Sequence, residues 1–323
     1  MIIKHKILLI SLFLVFLARI LNAQENSYKS EFGFKSDNDS YLAQGQDRYY
    51  TNGIFLQFRS ALDQSALKNP RLNKVIWEIE AGQKMFNPQT GSILDPAYID
   101  RPFAAYLYAG GAFNFLFNSE SNLKLGFQIG SIGPSAKGKE AQELLHNTFG
   151  FYEIHGWQWQ VNNEIGINSR MEFNKLINRM KSKKTDFSLN TYLNAGNTFA
   201  GLGAGILFRT GAINPLHSSA STESTISNNS GSKPKKEFFF YARPMLHYIA
   251  YDATIQGGMF INDKGPVVFD AKPLVFSQQA GLVFSKNRWT ADFSLIFKSR
   301  EIKSNAKPHQ YGSLGLFYKM GRE

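Results

Sequence analysis

From about residue 30 onward the chain is written in a two-residue rhythm. Leu123, Leu125, Phe127 and Ile129 alternate with Lys124, Gly126 and Gln128, and Phe293, Leu295 and Phe297 alternate with Asp292, Ser294, Ile296 and Lys298. A period of two is the signature of a strand with two unlike faces. Segments of this kind fall near 30–37, 50–60, 75–84, 103–116, 121–132, 157–170, 185–196, 200–209, 237–249, 252–261, 273–286, 288–299 and 309–319. A soluble sandwich hides its apolar faces inside, whereas a membrane barrel turns them to lipid and keeps polar residues in its lumen. The long segments, the polar second face and aromatics near segment ends (Tyr49, Tyr50, Trp157, Trp289, Tyr318) fit the barrel. Thirteen segments is an odd count, and bacterial single-chain barrels close with an even number. The expectation is therefore an all-β, transmembrane antiparallel barrel of about twelve strands, with one segment misread, split or outside the wall.

Residues 1–23 read as a cleaved signal peptide: Lys4 and Lys6 precede an apolar run from Ile7 to Leu17, and Asn22-Ala23 offers a cut before Gln24. The run is too short for a spanning helix, which takes about 20 residues, and nothing later is long and apolar enough. Residues 24–323 then form a single exported domain. The absence of cysteine excludes a disulfide framework, a thiolate nucleophile and a cysteine-bound metal. Three of the +11 net charges come from Lys4, Lys6 and Arg19 in the leader, and the other lysines are scattered. No basic motif of a nucleic-acid binder is present, so no nucleic-acid partner is expected; an anionic membrane surface explains the excess. Segment 211–236, rich in Ser, Asn, Thr and Lys, reads as a flexible loop, and 172–184, with Lys175, Arg179, Lys181, Lys183 and Lys184, reads as a solvated turn.

Two stretches carry candidate chemistry. In Phe32–Phe58, two alternating segments flank a polar loop holding Asn38-Asp39 and Asp47-Arg48-Tyr49-Tyr50-Thr51-Asn52-Gly53. Strict alternation puts Asp39 and Thr51 on the side of Lys35, Gln57 and Arg59, so a carboxylate and a hydroxyl converge at the end of a hairpin. Turn chemistry alone also explains such residues. The second stretch, KEAQELLHNTFG at 139–150, is the best helical candidate, closed by Gly150. Gln142 and His146 lie four apart on one of its faces. A neutral imidazole can take a proton from water, and there is no G-x-S-x-G elbow to supply a serine nucleophile.

Four blocks together resemble the outer-membrane lipid A 3′-O-deacylases: Asn38-Asp39 with DRYYTNG at 47–53, GQKMFNP at 82–88, DRPFAAYLY at 100–108, and the run from Gly133 through Gln142, His146 and Gly156-Trp157 to Asn163-Glu164, with a weaker echo at Gly257-Gly258-Met259-Phe260. The resemblance implies a twelve-stranded outer-membrane barrel whose site lies near the outer leaflet, between the wall and a helix from an extracellular loop. It implies calcium-dependent hydrolysis of the ester that holds the acyloxyacyl group at the 3′ position of lipid A. His146 matches the family's general base, and Asn38, Asp39 and Thr51 its essential polar residues. Lys84 is the nearest match to a lysine beside the scissile ester, for oxyanion stabilisation or a lipid phosphate. Gln142, Glu153 and Glu164 are supporting candidates, Glu164 being carried down the lumen by the strand read at 157–170. Oxygen ligands for calcium would come from Asp39 and loop carbonyls. Asp100-Arg101-Pro102 reads as a restricted loop end with an Arg–carboxylate tie, and Asp47-Arg48 as a similar tie. Phe103-Ala104-Ala105 departs from the family's tyrosine, alanine and glycine. The expected partners are lipopolysaccharide of the outer leaflet and membrane lipids, with the chain acting as a monomer. A phospholipase using the same histidine and calcium, a passive porin or structural barrel, and a soluble β-sandwich are the rival readings.

Overall fold

The computed structural model describes residues 27–42, 47–228 and 236–322, so the leader lies outside the described residues. Twelve strands of 10 to 16 residues form one closed antiparallel sheet. They are β1 (Tyr28–Asn38), β2 (Tyr49–Ala61), β3 (Leu72–Asn87), β4 (Ala104–Phe117), β5 (Ser121–Ile132), β6 (Glu164–Arg179), β7 (Thr185–Gly196), β8 (Phe199–Ala212), β9 (Glu237–Asp252), β10 (Leu274–Lys286), β11 (Trp289–Lys298) and β12 (His309–Arg322). Each strand pairs with its sequence neighbour, and β1 closes on β12 from Tyr28↔Arg322 to Asn38↔Gly312. Closure leaves no edge, the condition for a sheet to cross lipid. Leu125, Phe127, Leu295 and Phe297 are exposed on the outer wall, Phe127 by 49%. Large apolar side chains left out in rows over a wall whose inner face is charged are a surface made for hydrocarbon.

The thirteenth segment, 252–261, is not a strand. β9 ends at Asp252, and a single helical turn, Ala253–Gln256, follows it. The Asp252 side chain caps that turn by accepting from the Thr254 amide at 2.9 Å. The segment read at 157–170 starts too early, because Trp157–Trp159 is a 3-10 turn and β6 begins at Glu164. β6 then runs on through most of the expected 172–184 turn, to Arg179. Trp157, Tyr49 and Tyr50 are buried and form no interfacial girdle.

Connections at one end are mostly short, as at 118–120, 180–184 and 287–288, and most at the other are longer, as at 88–103, 133–163 and 253–273, which makes the first end periplasmic. The long periplasmic exception is 213–236. Expected as a flexible loop, its described part, 213–228, folds back into the lumen. Ser219, Ser224 and Ile226 are fully buried there. The Lys74 ammonium donates to the Ser224 and Ile226 carbonyls at 2.9 and 3.0 Å, and Glu223 pairs with Lys124 at 2.7 Å and Arg59 at 3.9 Å. Small hydroxylated residues satisfy one another and the lumen wall, so a composition that reads as solvated packs as a plug. Residues 229–235 lie outside the described residues.

Candidate active site

The extracellular end carries a helix, α1 (Gly138–Phe149), in the β5–β6 connection. Its Ala141 and Leu145 pack on a buried cluster of Met85, Ile93, Ile99, Phe103, Ala105, Ala136, Ile154 and Trp157. Met85 and Ala105 lie on the outer faces of β3 and β4, so α1 rests against the outside of the wall at the rim. The approach is close: a Cβ on Gly138 would stand 2.5 Å from both Ala105 Cβ and the Trp157 ring. Gly150, at φ 71°, stops the helix in the left-handed conformation and donates its amide to the His146 carbonyl.

This seat turns Gln142 and His146 inward onto Asp47. The Trp157 indole donates to Gln142 Oε1 at 2.7 Å, which fixes the amide so that Nε2 donates to Asp47 Oδ2 at 2.8 Å. Tyr152 Oη donates to the same oxygen at 2.6 Å. Asp47 Oδ1 accepts from Asn87 Nδ2 at 3.0 Å and from Thr51 Oγ1. His146 Nε2 lies 3.3 Å from Asp47 Oδ2, and its Nδ1 lies 2.7 Å from the Tyr152 carbonyl. A carbonyl only accepts, so Nδ1 carries a proton and Nε2 is the nitrogen left for chemistry. Gly91 is pressed against the group, where a Cβ would stand 2.6 Å from Asp47 Oδ2.

Thr51 reaches Asp47 through a bulge. Tyr50 pairs with Phe86 and Asn52 with Met85, leaving Thr51 as the extra residue. The bulge breaks the alternation that set Thr51 beside Gln57 and Arg59, and re-aims its hydroxyl. That hydroxyl also lies 3.4 Å from Asp39 Oδ1, and Asp39 Oδ2 accepts the Arg48 amide at 2.9 Å. One hydroxyl proton thus serves two carboxylates. Burial and the Asp47 charge push the Asp39 carboxyl up to about 8. Burial opposes ionisation of Asp47 too, but hydrogen bonds from His146, Thr51 and Tyr152 outweigh it and hold Asp47 below the usual range. The Asp47 hydrogen bond, partly countered by burial, raises His146 above its ordinary value.

Of the sequence candidates, His146, Gln142, Thr51 and Asp39 come together here. Asn38 caps the adjoining turn, accepting the Ser40 amide at 2.7 Å. Lys84 is elsewhere, in a polar lumen cavity of about 500 Å³ that Tyr50 and Phe86 also line and that Asp39, Asp47, Thr51 and His146 do not reach. Its ammonium sits 5.4 Å from the Phe199 ring centroid and 5.8 Å from that of Tyr108. Glu153 is solvent-exposed, 3.9 Å from His155. Glu164, at the rim and not down the lumen, accepts the Met259 and Phe260 amides at 2.9 and 2.6 Å and pins the β9–β10 connection. The two expected Arg–carboxylate ties are absent among the described residues. Arg101 bonds Thr254 and lies over the Phe86 ring at 4.2 Å, while Asp47 is the hub of the site.

A metal would need oxygen ligands here. Asp39 and Asp47 meet through the Thr51 hydroxyl, and Asn87, whose Nδ2 bonds Asp47, has a buried Oδ1 with no donor. That donor set fits a hard cation. No cage of three or more His, Cys, Asp or Glu side chains is present among the described residues.

The family model described as "Outer membrane protein LpxR" matches residues 8–320. The chain belongs to the LpxR family. The structure of LpxR from Salmonella typhimurium is similar, with a TM-score of 0.70, 18% identity, and coverage of 90% of this chain and 100% of that one. This likeness shows that the two share a fold, and family membership places the LpxR-family barrel described here in the outer membrane. The β domain of the Bordetella autotransporter BrkA scores 0.44 at 9% identity, covering 91% of this chain and 99% of that one. The translocator domain of NalP from Neisseria meningitidis scores 0.38 at 8%, covering 98% and 96%. Scores this low bear on nothing further. No curated protein sequence matches the chain.

Proposed function

We propose that this LpxR-family protein is a calcium-dependent esterase that removes the 3′-linked acyloxyacyl group from lipid A, using water activated by His146. The observation that carries the reading is the placing of the His146 ring: Nδ1 lies 2.7 Å from the Tyr152 carbonyl, which can only accept, and Nε2 faces Asp47 at an outer-rim site. Asp47 already has four other side-chain donors, and the 3.3 Å contact to Nε2 is long, so Nε2 can exchange Asp47 for a water.

In this mechanism Nε2 takes a proton from water as the water oxygen bonds to the ester carbonyl carbon. The imidazolium, stabilised by Asp47, then gives that proton to the departing sugar oxygen as the C–O bond breaks. The products are a free fatty acid bearing its secondary acyl chain and a sugar hydroxyl. Asp39, with loop carbonyls, would hold the calcium ion, which when bound supplies polarisation of the carbonyl and charge stabilisation for the oxyanion. Gln142, itself fixed by Trp157, keeps Asp47 in place.

The test is the purified, folded barrel in detergent with hexa-acylated lipid A and calcium, products read by mass. Loss of the acyloxyacyl unit from the 3′ position supports the reading. Hydrolysis of glycerophospholipids in place of lipid A would make the protein a phospholipase, and no hydrolysis of either would make it a passive barrel.

A further inference from the structure

The two strands that carry Asp39 and Thr51 also carry an apolar strip beneath them. Asn38 and Asn52 pair across β1 and β2 at the rim. Below them, the paired positions that face away from the lumen are Ser36 with Ile54, Phe34 with Leu56, and Phe32 with Phe58. Phe32, Phe34 and Leu56 are exposed, and Ile54 and Phe58 are half-buried. Phe58 lies six residues after Asn52, which is about 20 Å of strand at ~3.4 Å per residue. At a barrel tilt of about 35–45° that gives about 15 Å of depth, half of a hydrocarbon core of about 30 Å. The strip therefore spans one leaflet, and its upper end is the rim where Thr51 bonds Asp47.

The strip has two raised edges. On one side, the 3-10 turn Asp39–Leu42 lays Tyr41 over β12. A Cβ on Gly312 would stand 2.8 Å from Tyr41 Cβ, and Tyr41 Oη is 2.8 Å from Ser36 Oγ, so the exposed Tyr41 side chain crosses the β12–β1 seam. On the other side, Gln83 of β3 pairs with Ile54 and donates to the Ala136 carbonyl at 2.6 Å, at the foot of α1. There α1 packs on the cluster that holds Met85. Three strand spacings separate β12 from β3, about 14 Å at ~4.8 Å each. Tyr41 and α1 thus turn this part of the wall into a trough with a floor of apolar side chains and the Asp47–His146 pair at its head.

We propose that this trough seats the primary acyl chain of the ester presented to His146, and that its floor sets the chain length accepted; this rests on the reading of the site as an esterase acting on an acylated glycolipid. The occupant follows from position. The trough lies in the outer leaflet, and its head lies where hydrocarbon gives way to headgroup, which is where the ester of a lipid in that leaflet lies. A chain tethered to the reacting ester meets the trough at high effective concentration, whereas bulk chains spread over the whole wall. Each added methylene gains apolar contact until the floor ends.

The experiment uses the full chain in detergent micelles with lipid A analogues whose 3′-linked primary chain is lengthened stepwise, all else kept constant. The parent's kcat/KM should pass through a maximum along the series. Leu56→Trp, which fills the floor, should lower kcat/KM about 10-fold on the longest members and leave the shortest within about twofold, the scale of a one-methylene misfit in an apolar pocket. Leu246→Trp, on the outward face of β9, should change neither. In parallel, lipid A with a photoreactive group on the 3′-linked primary chain is bound to the protein before turnover, and labelled peptides are mapped by mass. Labels should concentrate in 28–38 and 49–61 and survive an equimolar diacyl phospholipid. A chain-length profile that Leu56→Trp leaves unchanged, or labels spread around all the strands, would overturn the trough. So would loss of the label to the phospholipid, since the strip would then hold bulk lipid. Labelling confined to β1 and β2 without hydrolysis by the parent would keep the trough and remove the esterase reading.

Discussion

Asp47 Oδ2 lies 3.3 Å from His146 Nε2 across the junction between the β1–β2 connection and the helix of the β5–β6 connection. The pair links two segments 99 positions apart in the numbering of the chain, and it sets the protonation of both partners. Asp47 favours the imidazolium, and the imidazole and its neighbours favour the carboxylate.

The pH dependence follows from the sign of these shifts. His146 works as a base only when neutral, so kcat/KM should rise with pH through a value above the ordinary histidine range near 6.5. In Asp47→Asn the main raising influence is gone, and the acidic limb should move to lower pH. The ion pair itself stabilises the fold fully below the ordinary histidine pKa and ceases to do so as pH rises through the raised folded value. A pH–rate profile of both proteins checks this; an unmoved limb would disconnect Asp47 from the base.

Calcium dependence is expected to carry the mark of Asp39. With its carboxyl pushed up to about 8, Asp39 is largely protonated at neutral pH without a cation, so calcium affinity should tighten as pH rises through that value. Asp39→Asn should weaken calcium binding while the heat-modifiable barrel still forms, because the residue stands in a loop at the rim. Calorimetric titration of calcium at several pH values measures it. Full hydrolysis in excess chelator would take calcium out of the account.

Much of the wall could be read from the sequence, because lipid and lumen impose opposite demands on alternate residues. Leu125, Phe127, Leu295 and Phe297 obey that demand, and the structure turns them outward. The helix was legible from Gly150 and the i, i+4 pair Gln142 and His146. Asp47 was not. Its donors come from residues 51, 87, 142 and 152, and no local pattern encodes such a meeting, whereas the adjacent Arg48 offers a local tie that the fold does not use. The DRYYTNG block held the signal, four residues before Thr51. Trp157 and Trp159 alternate like a strand because a short 3-10 turn also buries one ring and half-exposes another. Thr51 was misfaced because a bulge leaves no trace in an alternating pattern until the partner strand is known.

The outward face of β5 gives a direct test of membrane orientation. A charge at Phe127 should impair insertion by about 2–4 kcal/mol if it lies near mid-membrane. The chain has no cysteine, so Phe127→Cys provides a single thiol. It should resist a membrane-impermeant reagent in intact outer membranes and react after solubilisation and unfolding. Rapid labelling in intact membranes would reverse the facing of β5.

The lumen plug predicts the conductance. Segment 213–228 is locked by Glu223 with Lys124 and Arg59, and by Lys74 with the Ser224 and Ile226 carbonyls. The parent should show little or no conductance in planar bilayers, and deletion of 214–227 should open a steady channel. A conducting parent would revive the porin reading.

The central claim is that His146 activates the water. A lost general base lowers the rate by about 10²–10⁴-fold. His146→Ala is to be purified beside the parent, both shown to be folded by heat-modifiable mobility, and both incubated with hexa-acylated lipid A and calcium. Product masses should show the parent releasing the 3′ acyloxyacyl unit and the variant retaining it within the same time. Equal release by the folded variant would contradict the histidine mechanism.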